Sequence, residues 1–170
     1  MATSRQNKTE IMNALENSLL AMMKERQFRD ISIRDLCDRA GVGRSSFYRY
    51  YDSTESVLSS YLVRLWYAWL SAKGVRPLYG FSLESSRLFV RHVYEHKELF
   101  SMIFKNGLER SLILAVDRNL KNGKMIRDYG TSFFVFGVFG MLKDWWRRGC
   151  VDSPEVLIDV LEEIFTHAGE

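Results

Sequence analysis

Apolar residues recur along most of the chain at intervals of three and four, the period of an α-helix and not the alternation of a strand. Ile11, Ala14, Leu15, Ser18, Leu19 and Met22 make one stripe, which predicts an amphipathic first helix. Phe28 and Ile31 read as a short apolar connection. Ser32 then opens a second helix, with Asp35 three residues later completing an S-x-x-D capping pattern. That helix carries Ile33, Leu36, Cys37 and Ala40 and should stop at Gly41, which can take the left-handed backbone of a helix C-terminus. A short third helix is predicted from Arg44 to Tyr50, and Asp52 or Ser53 can cap a long fourth one. Val57, Leu58, Tyr61, Leu62, Leu65, Trp66, Trp69 and Leu70 are its apolar positions, and it ends before Gly74 and Pro77.

The second half continues the pattern. Helices are predicted from Leu83 to Glu95, from Glu98 to Phe104, and from Leu108 to Leu120, the last ending at Asn122 and Gly123. A long aromatic-rich helix runs from Met125 to Arg148 and ends at Gly149. Ser153 and Pro154 supply an N-cap and a first-turn proline for the last helix, whose stripe is Val156, Leu157, Val160, Leu161, Ile164 and Phe165. The fold class is therefore all-α. An N-terminal three-helix domain, residues 1–52, is joined by a long helix to a C-terminal helical bundle, residues 53–170, with no flexible linker near the boundary.

Composition narrows the classes. Hydrophobic residues are 46% and charged residues 26% of the 170, an ordinary soluble globular balance. Cys37 and Cys150 make neither a disulfide framework nor a metal-ligand spacing, and read as small packing residues in a reducing cytosol. The segment from Met1 to Glu10 lacks the apolar stretch of a secretory signal. The longest apolar run, Phe133 to Leu142, is about half of what a membrane span requires. A cytoplasmic protein with no membrane association, metal or other cofactor is expected. A net charge of +3 is too small to identify a nucleic-acid partner. The local distribution says more, because Arg39, Arg44 and Arg49 fall between residues 39 and 51 with no acid among them.

Two short helices joined by a tight glycine-containing turn, the second one basic, describe a helix-turn-helix. The second helix of such a motif lies in the major groove with its first turn aimed at base edges. Arg44 stands where a forked guanidinium reads guanine, Ser45, Ser46, Tyr48 and Tyr50 offer hydroxyls, and Arg49 supplies charge to phosphates. Ser32 and Arg34 at the start of the preceding helix, with Gly43, complete the candidate surface. Phe47 should instead face the core with Leu36 and Val42.

The string from Ile31 through Leu58, with Ile31-Ser32-Ile33 at its opening, Ala40-Gly41-Val42 at the turn and Phe47-Tyr48-Arg49-Tyr50-Tyr51 at its end, resembles the DNA-binding domain of the tetracycline-repressor (TetR) family. Thr9, Ile11 and Ala14 match that family's first helix, so the resemblance covers residues 9 to about 58. Two positions depart from it. Gly43 replaces a common serine at the N-cap of the recognition helix, a change worth only a few tenths of a kcal/mol. Thr54 replaces a lysine that commonly clamps a phosphate, which removes one counterion-releasing contact.

The resemblance implies a homodimer on a palindromic double-stranded operator, with operator affinity, as in a repressor, modulated by a small-molecule effector bound in the C-terminal domain. Phe133, Phe136, Gly137, Gly140, Met141 and Trp145, together with Val156, Val160 and Ile164, are the expected dimer interface. The two glycines weaken the helix by about 0.8–1 kcal/mol each relative to alanine, and close helix–helix approach would explain them. Trp66, Trp69, Phe89, Val93, Phe100, Ile103 and Phe104 are the effector-pocket candidates, against a plain core.

Two other readings stay open. His92-Val93-Tyr94-Glu95-His96 spells H-x-x-E-H, an inverted zinc-protease signature, although the third ligand that a catalytic zinc needs has no obvious source. Histidines on such a helix are expected to be partly exposed. A TetR-like protein without DNA binding, acting through a partner regulator, would also suit Gly43 and Thr54.

Overall fold

The computed structural model describes residues 2–76, 82–113 and 129–167, and among them every regular element is helical. The helices are α1 (Ala2–Glu25), α2 (Ile33–Ala40), α3 (Arg44–Tyr48), α4 (Thr54–Ala72), α5 (Leu83–Glu95), α6 (Lys97–Lys105), α7 (Tyr129–Arg147) and α8 (Pro154–His167). A 3-10 turn, Phe28–Asp30, joins α1 to α2, and residues 109–113 are helical. The chain forms two compact units, Met1–Arg64 and Leu65–Glu170, which divide inside α4. None of the described helices is long and apolar enough to cross a membrane. Pro77, the predicted helix beyond residue 113 with its Asn122-Gly123 stop, and the start of the aromatic helix at Met125 lie outside the described residues.

In the first unit α1 packs on α2 and α2 on α3. Leu15, Leu19, Met22, Leu36, Phe47, Val57 and Leu58 are at the centre of its core. The capping pattern at Ser32 forms by half: the Asp35 amide donates to Ser32 Oγ over 3.1 Å, while the Asp35 carboxylate turns to Arg26 at 3.5 Å. Ser53 caps α4, since the Ser56 amide donates to Ser53 Oγ and the Ser53 amide to Ser56 Oγ. The third helix ends two residues short of its predicted end at Tyr50. The amides of Tyr50 and Tyr51 both donate to the Phe47 carbonyl at 2.9 Å, which tightens the backbone into a turn.

In the second unit α5 packs most extensively on α8, and α6 contacts both α5 and α7. Arg87 and Glu162 at 2.5 Å, and Arg91 and Glu155 at 3.5 Å, pair across the α5–α8 contact. Ser82 caps α5 reciprocally with Ser85, so this helix begins at Leu83 as its pattern predicts. Helix α7 stops at Gly149, whose φ of +81° allows the amides of Gly149 and Cys150 to bond back to Trp146 and Trp145.

Candidate functional site

The turn between α2 and α3 is built by Gly41. Its φ of +64° is open to glycine at no steric cost, and it lets the amides of Gly41 and Val42 bond to the carbonyls of Asp38 and Cys37. Gly43 then caps α3 with extended backbone and no side-chain bond. This short helix is sorted sharply by burial. Phe47 is fully buried, with its ring 5.9 Å from that of Tyr51, whereas Arg44, Ser45, Tyr48 and Arg49 are exposed. Tyr48 keeps 61% of its surface in solvent. Ser46 and Tyr50 are half-buried, and the Lys8 ammonium lies 5.7 Å from the Tyr50 ring centroid.

Of the other candidates, Ser32 is exposed, but its hydroxyl oxygen already accepts the cap bond. Arg34 is exposed and lies 3.8 Å from Asp38. Thr54, half-buried, is the first residue of α4. The three arginines of the basic stretch are not equivalent. Arg39 makes two bonds to Glu25, at 2.5 and 2.7 Å, and those bonds hold the Glu25 carboxyl below its usual range. Arg44 and Arg49 have no ion pair among the described residues and are the charges available to an anion.

Behind this surface lies a polar network that sequence reasoning missed. Glu16 lies on α1 to one side of the predicted apolar stripe and is buried. Its carboxylate accepts from the Tyr51 hydroxyl at 3.2 Å and from Arg64, whose guanidinium also reaches Asn13. Burial raises the Glu16 pKa, and Arg64 and Tyr51 offset part of that rise. Burial also pushes the Tyr51 phenol up to about 12. The available signal was an acid with Met12, Leu19, Leu20 and Met23 at helical spacing around it, which places Glu16 on a second apolar face of α1.

In the second unit several effector-pocket candidates form one aromatic cluster. Trp66 and Trp69 stack with centroids 5.6 Å apart, and Phe89 lies edge-on to Trp66 at 5.8 Å and to Phe100 at 6.4 Å. Trp66 and Phe89 are half-buried, whereas Trp69 and Phe100 are buried. Val93 and Ile103 are fully buried, and Phe104 stacks on Trp146 of α7. At the centre of the cluster is His92, only 1% exposed, within 5.3 Å of both tryptophan rings. The expectation of a partly exposed histidine is thus corrected: the face of α5 that carries His92 is turned into the core. Burial, and secondarily His96, drives the His92 pKa down to about 3.

The H-x-x-E-H residues do not converge as ligands. Glu95 accepts from Trp69 Nε1 at 2.7 Å and pairs with Lys73 at 2.9 Å, bonds that lower its pKa. His96 Nδ1 lies 2.9 Å from the His92 carbonyl oxygen. Among the described residues no three His, Cys, Asp or Glu side chains gather as a metal site.

The expected dimer residues divide as well. Phe133 and Phe136 on α7 are 74% and 61% exposed, and Val156, Val160 and Ile164 on α8 are 48%, 42% and 48% exposed. Gly137 and Gly140 are exposed, and a Cβ at either would meet nothing within 4 Å, so no neighbour inside the described chain requires them. Met141 is half-buried. Trp145 does not belong to this exposed set, because it is buried and its Nε1 donates to the Asp152 carbonyl at 3.0 Å.

Comparison with known proteins follows the two units. Residues 19–61 match the family of bacterial regulatory proteins described as tetR, and residues 82–167, about half of the chain, match one described as a transcriptional regulator C-terminal region. None of the curated proteins matches the sequence. Among solved structures, the crystal structure of Lin0861 from Listeria innocua has the same fold, with a TM-score of 0.66 at 20% identity. That similarity covers 99% of this chain and 93% of the Listeria chain.

Proposed function

The chain belongs to the tetR family of bacterial regulatory proteins and is a DNA-binding transcriptional regulator, and on this premise we propose that it acts as a dimeric repressor released by a small-molecule effector. The observation that carries the reading is the sorting of α3: Phe47 is anchored in the core while Arg44 and Tyr48 project from the first two turns into solvent. A helix held this way presents a forked donor and a phenol to base edges, with Ser45, Ser46, Arg49 and Tyr50 near the phosphates. Thr54, the α2 cap Ser32 and Arg34 of α2 flank the same surface in sequence.

One short helix buries little area on DNA, so two copies about 34 Å apart, reading the half-sites of a palindrome, supply the affinity. The exposed apolar residues of α7 and α8 support that pairing. The aromatic cluster around His92 supports effector binding in the second unit. Such an effector acts only if it prefers one spacing of the two recognition helices.

Selection from random duplex DNA at a stated salt concentration, followed by binding of Arg44→Ala and Tyr48→Ala variants, tests the reading. Each variant is expected to lose operator affinity by about 1–3 kcal/mol at unchanged thermal stability. A protein that acts only through a partner regulator would select no sequence, and the two substitutions would leave its activity unchanged.

A further inference from the structure

His92 carries the unmet polar atom at the centre of the second unit. Its Nδ1 is buried and has no hydrogen-bond partner among the described residues, in a side chain 99% removed from solvent. A phenylalanine would fill the same space among the rings without an unpaired nitrogen. Its ring neighbours are His96 at 4.5 Å, Trp66 at 5.1 Å, Trp69 at 5.3 Å, Phe100 at 5.8 Å and Phe89 at 6.4 Å between centroids. Glu95, the Trp69 indole and His96 Nδ1 already have partners. Glu95 holds Trp69 Nε1 and Lys73, and His96 Nδ1 is taken up by the His92 carbonyl.

We propose that His92, with the rings of Trp66, Trp69 and Phe89, forms the effector site, and that it takes a small, neutral, planar aromatic molecule bearing a hydroxyl group. The assignment rests on the effector-released reading above. Aromatic walls favour a planar ring in stacked or edge-on contact. Neutrality follows because Glu95, the acid at the cluster among the described residues, is already paired with Lys73, so a charged ligand would lose its hydration with no counter-charge in return. The hydroxyl follows from the imidazole itself. Because burial keeps it neutral, each ring nitrogen is either a donor or an acceptor, and a hydroxyl answers both tautomers. Trp66 and Phe89, the half-buried members of the cluster, are the rings through which a ligand would approach.

The test is a titration of the full-length protein, carrying isotope-labelled histidine and free of DNA, with para-cresol and with toluene as the analogue lacking the hydroxyl. Long-range proton–nitrogen spectra read His92 Nδ1, and tryptophan fluorescence reads occupancy. Para-cresol is expected to saturate, to move the Nδ1 resonance, and to bind about tenfold more tightly than toluene. His92→Phe is expected to remove that preference. Absence of saturable binding, an unmoved Nδ1 resonance at saturation, or a His92→Phe protein that still prefers para-cresol overturns the proposal. If His92→Phe does not fold, the wild-type nitrogen resonance decides alone. A ligand that engages His92 but leaves operator affinity unchanged overturns effector release and leaves the site standing. An effector that releases DNA while Nδ1 stays unmoved overturns the site alone.

Discussion

The hydroxyl of Tyr51 donates to the carboxylate of Glu16 over 3.2 Å inside the DNA-binding unit. The two residues lie 35 positions apart, one closing the turn after the recognition helix and the other midway along α1. With Arg64 of α4 on the same carboxylate, this contact ties three elements together behind the exposed face of Arg44 and Tyr48. It fixes the pose of α3, a helix too short to hold its own geometry in water.

Tyr51→Phe is therefore expected to destabilise the protein by about 1.5–3 kcal/mol at neutral pH, because the lost acceptor partner is a carboxylate. The pH dependence has a definite sign. The folded state raises the phenol from 10.0 to about 12, so it holds a proton that the unfolded chain releases earlier. That contribution is complete below pH 10 and is lost as pH rises through about 12. Urea midpoints on either side of pH 10 should show this alkaline loss in the wild type and not in Tyr51→Phe.

At Thr54, a lysine would restore a phosphate contact at the N-terminus of α4. Thr54→Lys is expected to steepen the dependence of log affinity on log salt by about one unit, and Arg49→Ala to make it shallower by about the same amount. Fluorescence anisotropy on one duplex at several salt concentrations measures both. An unchanged slope for both variants would place these residues away from the phosphates.

For the paired state, Phe133→Glu with Val160→Glu introduces charge at exposed positions of α7 and α8. The double variant is expected to run as a folded monomer in size-exclusion chromatography with light scattering, while the wild type runs as a dimer. A wild-type monomer at micromolar concentration would overturn the dimer. Helicity by circular dichroism should be unchanged.

His92 adds an acid-side dependence. Its folded pKa lies near 3, below the ordinary value of 6.5, so its contribution is complete above pH 6.5 and is lost as pH falls toward 3. The slope is at most about 1.4 kcal/mol per pH unit for one proton. Chemical denaturation at successive pH values below 6.5 should show a shallower loss in His92→Phe than in the wild type.

Much of this protein is determined within short stretches of sequence. The Ser32 cap, the left-handed Gly41, the start of α5 after Ser82 and the stop of α7 at Gly149 were all legible, because each rests on bonds between residues a few positions apart. The helical period likewise placed Phe47 inside and Tyr48 outside. The partners of charged groups were decided by tertiary structure. Arg39 looked like part of a basic surface until α1 brought Glu25 to it, and Trp145 looked like an interface residue until the chain after α7 brought the Asp152 carbonyl to it. His92 shows the limit most clearly. Its helix position allows an exposed or a buried ring, and only the packing of Trp66, Trp69 and Phe100 around it chose the buried one. Local bonds and periodicity are written into neighbouring residues, whereas desolvation and charge pairing depend on which distant residues the fold brings together.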